Sequence, residues 1–366
     1  MKHFFERYLL PGFVFQSVVI GGGYATGREL IQFFGASGPV GGLLGMAVTT
    51  LVWSAVLAVS FELVRRTQSY DYKSFFTVLL GRGWFLFEIA YLLLLVLVMS
   101  VLGAAAGEII GDATGTPKIV GTLAIIALVA ALVFRGSDTI GRVLGLSGVA
   151  LFAVFIVLVL WSLFVFGDRI AVNFASVPVQ GNWFGGGITY SAYNISVAVT
   201  VFFCVRKLKT RREALIAGSL AGPITMLPGM LFFVAMMGYY PEINEAPLPS
   251  VFLAAKLGAP WFNAVFQIAV LWALTATGVG MLHAINERVS QWFAERQKIM
   301  PQALRPLIAV TILLLAVFVA EAMGIISLIA QGYGALTWAF IVVLVVPVLT
   351  IGVWKVWRHE PEVETE

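Results

Sequence analysis

Apolar positions in this chain run in long blocks separated by short polar connections. Ten such blocks stand at 8–35, 38–63, 83–110, 118–134, 143–166, 184–205, 212–239, 259–287, 304–322 and 325–354. Each is long enough to cross a hydrocarbon core as an α-helix, which takes roughly 17–25 residues. The ten-residue in-out alternation of a membrane β-strand does not recur. The pattern therefore predicts an all-α polytopic membrane protein with ten transmembrane helices. The first block does not read as a cleaved leader, because its apolar part is too long and no small-residue cleavage site follows. Three connections are longer. Residues 67–81 are moderately amphipathic and predict a short helix along the interface. Residues 168–182 read as a loop in the middle of the chain. Residues 239–258 hold three prolines and then an apolar helical stretch, expected to fold back over the outer vestibule.

Composition agrees with this reading. Charged residues make up 11% of the chain, against about 25% in soluble domains, and mean hydropathy is +0.95. An even number of spans puts both termini on one side. With the N-terminus inside, nineteen of the 23 Lys and Arg residues fall inside and only Lys118, Arg169 and Lys256 outside. That bias predicts cytoplasmic termini in a bacterial-type plasma membrane, with 355–366 as a cytoplasmic tail. The net charge of +4 then reflects orientation and not nucleic-acid binding. The run "RKLKTRR" (Arg206–Arg212) reads first as an orientation signal and second as a lipid or partner site. Cys204 is the sole cysteine, which excludes internal disulfides and thiolate clusters. His3, His283 and His359 form no zinc motif, and no nucleophile–base set appears. Neither an enzyme nor an organic cofactor is expected.

The one basic residue that topology leaves unplaced is Arg28. It belongs to "GGGYATGRE" (Gly21–Glu29), which sits where a spanning helix should be most apolar. Each glycine lowers helix stability by about 1 kcal/mol relative to alanine, so the run invites an interruption. Irregular backbone at membrane depth is tolerated only in protein or along a wet cavity. An interruption exposes carbonyls that favour cations and amides that favour anions. Gly22, Gly23, Ala25, Thr26 and Gly27 are therefore expected to contact a solute, with Arg28 and Glu29 just beyond as gate or coupling groups. Close helix packing by small residues is the alternative; it explains the glycines but not the Arg–Glu pair. Gly22–Glu29 also resembles a phosphate-binding loop, but lacks its Lys and Ser/Thr.

The connection at 168–182 divides the spans five and five. An odd number per half makes the second half run inverted, so 1–167 and 183–354 are predicted as inverted repeats. The first helix of the second half carries "GGGITYSAYNISVAVT" (Gly185–Thr200). A break at Ser191–Asn194 would let Tyr193 cover a solute and Asn194 hydrogen-bond it, with Tyr190 beside them. The competing reading is that these side chains bond only backbone or a neighbouring helix. Glu62 and Glu88 lie near the boundary, within reach of Arg65 and Arg82. Glu108 is placed to pair with Arg28 as an outer gate; alternatively Arg28 holds an anionic group of the solute. Gln331 and Tyr333 in "IAQGYG" are expected along the outer pathway.

"GGGYATGRELIQFF" and "SAYNI", in a chain of this length, resemble the putative amino acid permease family. That family belongs to the amino acid–polyamine–organocation superfamily, with the leucine-transporter fold. The resemblance implies a five-plus-five inverted repeat, broken first and sixth helices, and coupling to sodium or protons. It also implies a sodium site formed by the carbonyls of Gly21 and Tyr24 facing Thr277 and the carbonyl of Leu274 or Ala273. This chain departs from the sodium pattern, since Gly278 follows Thr277 and Thr275 lies about 200° away around the helix. It also lacks a lysine after Arg142 in the fifth span, where proton-coupled relatives place one. The expected function is ion-coupled transport of a small organic solute, an amino acid or related amine. The alternative is a receptor of the same fold that senses without transporting. The expected partners are solute, coupling ion and lipid.

Overall fold

The computed structural model describes residues 2–134, 137–294, 296–301 and 304–357. Arg135 and Arg358 of the topology count, and 358–366 of the expected tail, lie outside the described residues. Among the described residues every element is helical and no strand occurs. The first stretch is broken into α1 (Leu10–Val19), α2 (Gly22–Ala25) and α3 (Arg28–Phe34). There follow α4 (Gly38–Thr67), α5 (Tyr72–Leu80), α6 (Trp84–Thr114), α7 (Lys118–Phe134) and α8 (Ser137–Ser176). Next, α9 (Trp183–Asn194) passes directly into a 3₁₀ helix over Ile195–Lys207. Then come α10 (Arg211–Met236), α11 (Pro249–Lys256), α12 (Pro260–Ala294) and α13 (Leu304–Ser327). The remainder alternates π and α turns up to Trp357.

Seven helical runs among the described residues are long and apolar enough to cross a membrane. Ten apolar blocks become seven runs for definite reasons. The first block is divided into short pieces, and the fourth is only a short apolar helix. The last two blocks are joined in one run, Leu304–Trp357. Within that run Gly324 takes φ 69°, ψ 163°, a conformation essentially reserved for glycine, and it lies between the two blocks. Side-chain caps mark several starts. Asp71 accepts from Ser74 N and Asn182 from Gly185 N, and Thr210 with Glu213 forms a capping box.

Two connections depart from the sequence reading. Residues 168–176 are not loop: α8 continues through them, leaving 177–182 as the connection. Its polar residues find local partners. Asn173 Nδ2 donates to Met237 O at 2.8 Å, and the Arg169 guanidinium lies 4.3 Å from the Tyr239 ring centre. The change at Ser191–Asn194 is also not an unwound gap. The α-helical bonding ends at Asn194 and tightens into thirteen residues of 3₁₀ helix, an unusually long run of a form often found at hinges.

The frame around the first stretch is built on α4 and α10, which pack against each other along much of their length; α9 packs on α4 and α1 on α10. Small residues allow the approach. A Cβ at Gly218 would sit 2.4 Å from both Cα and N of Ala58. Backbone cannot retreat as a side chain can, so Gly218→Leu is expected to cost about 3 kcal/mol or more, the upper end for overpacking. The thermal midpoint of purified protein checks this. Gly334→Ala serves as control, because nothing lies within 4 Å of that position. An unchanged midpoint for Gly218→Leu would show that the two helices do not meet there.

Candidate functional site

Three elements converge where the first stretch loses its regularity. After α1, Ile20 adopts φ −79°, ψ 65°, and Gly21 N donates back to Val19 O. The end of α1 is pinned from outside by Gln16, whose Nε2 donates to Ile224 O at 2.9 Å. A single turn follows, and Gly27 then takes φ 73°, ψ −8°, a left-handed conformation that costs a side-chain-bearing residue roughly 1–2 kcal/mol. That residue swings the chain so that Arg28 and Glu29, adjacent in sequence, meet different surroundings.

Arg28 is 4% exposed and turns to the 239–258 connection. Its Nη1 donates to Asn244 O at 2.7 Å and Ala246 O at 3.0 Å, and its Nη2 to Gln32 Oε1 at 2.8 Å. Ser250 N, at the start of α11, donates to Thr26 O at 2.9 Å. The proline-rich segment thus lies directly over the interruption. The expected Arg28–Glu108 pair is not formed. Glu108 lies on α6 and accepts from Lys118 Nζ at 2.6 Å, across the short turn into α7. Lys118 is only ten positions away and more exposed than Arg28, which backbone carbonyls already hold. Glu62 does pair with Arg65, at 2.7 Å, whereas Glu88 meets Arg288 from α12 at 3.3 Å and not Arg82.

Glu29 is 5% exposed and accepts a hydrogen bond from the Tyr193 hydroxyl of α9. Tyr193 is held in an aromatic stack, 4.7 Å from Tyr333 and 5.6 Å from Phe33 between ring centres. Asn194 Nδ2 donates to Tyr190 O at 3.3 Å. Tyr190 itself packs against Phe34 and Trp53, outside the cavity described next. From α12, Thr277 faces Gly21: a Cβ at Gly21 would lie 3.5 Å from Thr277 Oγ1.

These groups line a cavity of about 60 Å³, room for a few water molecules. Its polar wall holds Tyr24, Glu29, Tyr193, Asn194, Thr277 and Tyr333; Gly21 contributes backbone, and Val18, Val19, Leu94, Leu95, Val98 and Met281 are among its apolar lining. Of the residues expected to contact solute, Tyr193 and Asn194 line this space. Ala25, Thr26, Gly27 and Tyr190 do not, and the placement of Gly22 and Gly23 against the cavity lies outside the described residues. Of the expected sodium ligands, Gly21, Tyr24 and Thr277 line it and Leu274 does not. The carbonyls of Gly21 and Tyr24 already accept from Ala25 N and Gly27 N, at 3.0 and 2.9 Å, and each keeps a second lone pair. Tyr91 and Met281 went unnoticed in the sequence because an aromatic or thioether in an apolar span reads as core. Tyr333 was placed on an outer pathway, yet it backs the cavity.

No family model matches the chain. An uncharacterised membrane protein of Bacillus subtilis (strain 168), YkvI, is 23% identical over 302 residues, covering 78% of this chain and 82% of YkvI. Among solved structures, a histidine-to-alanine mutant of the Eremococcus coleocola manganese transporter superposes with TM-score 0.57 at 14% identity. That match covers 94% of this chain and 78% of the transporter. The inward-facing conformation of Mhp1 gives TM-score 0.52 at 15% identity, over 92% of this chain and 75% of Mhp1. The chain has the leucine-transporter fold. It is an integral membrane protein, and its structural neighbours are transporters and not enzymes. Within the leucine-transporter fold, the cavity of this chain lies beside the interrupted first stretch.

Proposed function

We propose that this protein is a secondary active transporter of a small organic solute, an amino acid or related amine, working by ion-coupled alternating access. The observation that carries the reading is the cavity between the interrupted first stretch, α9 and α12, next to the Thr26–Arg28 turn on which the 239–258 segment is fastened. In this reading ten transmembrane helices form two inverted sets of five, and helices 1 and 6 are the discontinuous pair. Helix 1 is discontinuous at Ile20–Gly21 and Gly27, and helix 6 at the change of helix type after Asn194. The termini face the cytoplasm, as the Lys and Arg asymmetry suggests. The amino acid permease resemblance supports the solute class.

Sodium is the coupling ion on this reading, held between Gly21 and Thr277. Facing oxygen donors at an interrupted helix are the chemistry such an ion takes. Proteoliposomes carrying purified protein should accumulate a labelled amino acid or amine under an inward sodium gradient. Thr277→Ala is expected to lower that uptake at least tenfold and flatten its sodium dependence, with little effect on the thermal midpoint. Uptake driven equally by a proton gradient without sodium would remove sodium from the scheme. Binding without uptake under any gradient would favour a sensor.

A further inference from the structure

We propose that Glu29 is the counter-charge for the solute, and that the protein selects organic ammonium compounds: a cationic amine is required and a carboxylate is not. This rests on reading the cavity as a solute site. Among the described residues, the cavity is lined by one acidic side chain, the Glu29 carboxyl, and by no Lys, Arg or His side chain. Arg28, the nearest cation in sequence, has its guanidinium engaged with Asn244 O, Ala246 O and Gln32 and does not line the space. Glu29 forms no ion pair among the described residues. Among the described residues its one hydrogen bond, from Tyr193, leaves most of the roughly four acceptor positions of a carboxylate open.

A carboxylate at membrane depth is costly when nothing pairs with it. Such a group is retained where a cation arrives from outside. The neighbouring polar atoms suit a donor-rich cation. Asn194 spends its Nδ2 on Tyr190 O, leaving its carbonyl oxygen for a ligand. Thr277 and the Gly21 backbone, assigned above to sodium, lie across the cavity and leave the Glu29 and Asn194 side to the ammonium. An ammonium group offers up to three N–H donors to such acceptors, and Leu94, Leu95 and Val98 provide an apolar side for a short aliphatic chain. An anionic solute would meet Glu29 with no compensating cation. A transition-metal ion would find one carboxylate and no imidazole or thiolate among the described residues of the lining, a poor donor set.

The test uses the full-length protein in detergent, with thermal midpoints titrated against methylammonium, isobutylammonium and tetramethylammonium chlorides and against potassium isovalerate. Isobutylammonium and isovalerate share their branched carbon skeleton and differ in the charged end. At least one ammonium probe should raise the midpoint saturably, and isovalerate should not. Glu29→Gln should weaken the ammonium response at least tenfold, and Glu29→Asp should keep part of it. No response to any ammonium probe would overturn the proposal. So would an equal response in Glu29→Gln, or a response to isovalerate. A Glu29-dependent shift with sodium chloride alone, and none with the ammonium probes, would make this an inorganic cation site and also overturn it. If Glu29→Gln does not fold, the ammonium-against-isovalerate comparison on the unmutated protein decides. Uptake separates the two readings. Glu29-dependent ammonium binding without uptake refutes transport and leaves this assignment standing. Glu29-independent uptake of a neutral or anionic solute does the reverse.

Discussion

Arg28→Ala is expected to release the 239–258 segment and to destabilise the protein by about 2–5 kcal/mol, the cost of leaving buried acceptors without donors. Two backbone carbonyls, Asn244 O and Ala246 O, take their hydrogen bonds from one guanidinium nitrogen, and Gln32 takes another. No small side chain replaces that fork. Lysine keeps the charge but offers a single nitrogen at a different reach, so Arg28→Lys should fall between wild type and alanine. Had the guanidinium been reserved for a planar anionic group of the solute, lysine would fail nearly as badly as alanine. Two measurements decide. The thermal midpoint reports the lost bonds. Maleimide labelling of Glu245→Cys, made in a Cys204→Ser background, reports release of the segment, since position 245 is exposed and Cys204 is the only native thiol. An Arg28→Ala protein with unchanged midpoint and labelling rate would show that the segment holds without Arg28. The same fastening suggests what must loosen for solute to enter from that side.

Gly27→Val should destabilise the protein about as much as Arg28→Ala, by a different route. The residue sits at φ 73°, and a Cβ there would lie 3.1 Å from Met236 Sδ and 3.2 Å from the Phe232 ring. A branched side chain adds strain of about 1–2 kcal/mol in the left-handed region and overpacking of about 1–3 kcal/mol. The combined loss should exceed that of Gly27→Ala, which carries the strain but less of the volume. Because Gly27 sets the direction of α3, the change should also disturb both Arg28 and Glu29. Size-exclusion profile and thermal midpoint of the two variants check the order. Equal stability of Gly27→Val and wild type would mean that the chain reaches Arg28 without the left-handed turn.

How much was legible follows the range of each interaction. The glycine-rich run marked the place where α1 stops and Gly27 turns, because helix propensity acts within a few residues. "SAYNI" marked the end of α9 for a related reason, though not its form: a shift to 3₁₀ bonding and an open break leave the same composition. The 168–176 stretch misled because polar residues read as loop, while Asn173 and Arg169 found partners on Met237 and Tyr239. Tyr91 was hidden by its own apolar ring, which looks alike in a core and in a cavity wall, and Tyr333 was noticed but set on an outer pathway, because its stacking partner Tyr193 lies on another helix.

By itself, the sequence determined the class of the molecule: helices and not strands, a membrane and not water, and an irregular first stretch carrying two charges. Those follow from hydropathy summed over blocks of residues and from local backbone preference, neither of which needs to know what lies opposite. Only the tertiary structure decided the partners. Arg28 went to carbonyls 216 and 218 positions away, Glu29 to a tyrosine 164 positions away, and Glu108 to a lysine ten positions away. Neighbours in a helical sequence point about 100° apart, so Arg28 and Glu29 had to part company, one to the covering segment and the other to the cavity. Which groups waited in each direction depended on how α9, α11 and α12 were laid against the first stretch.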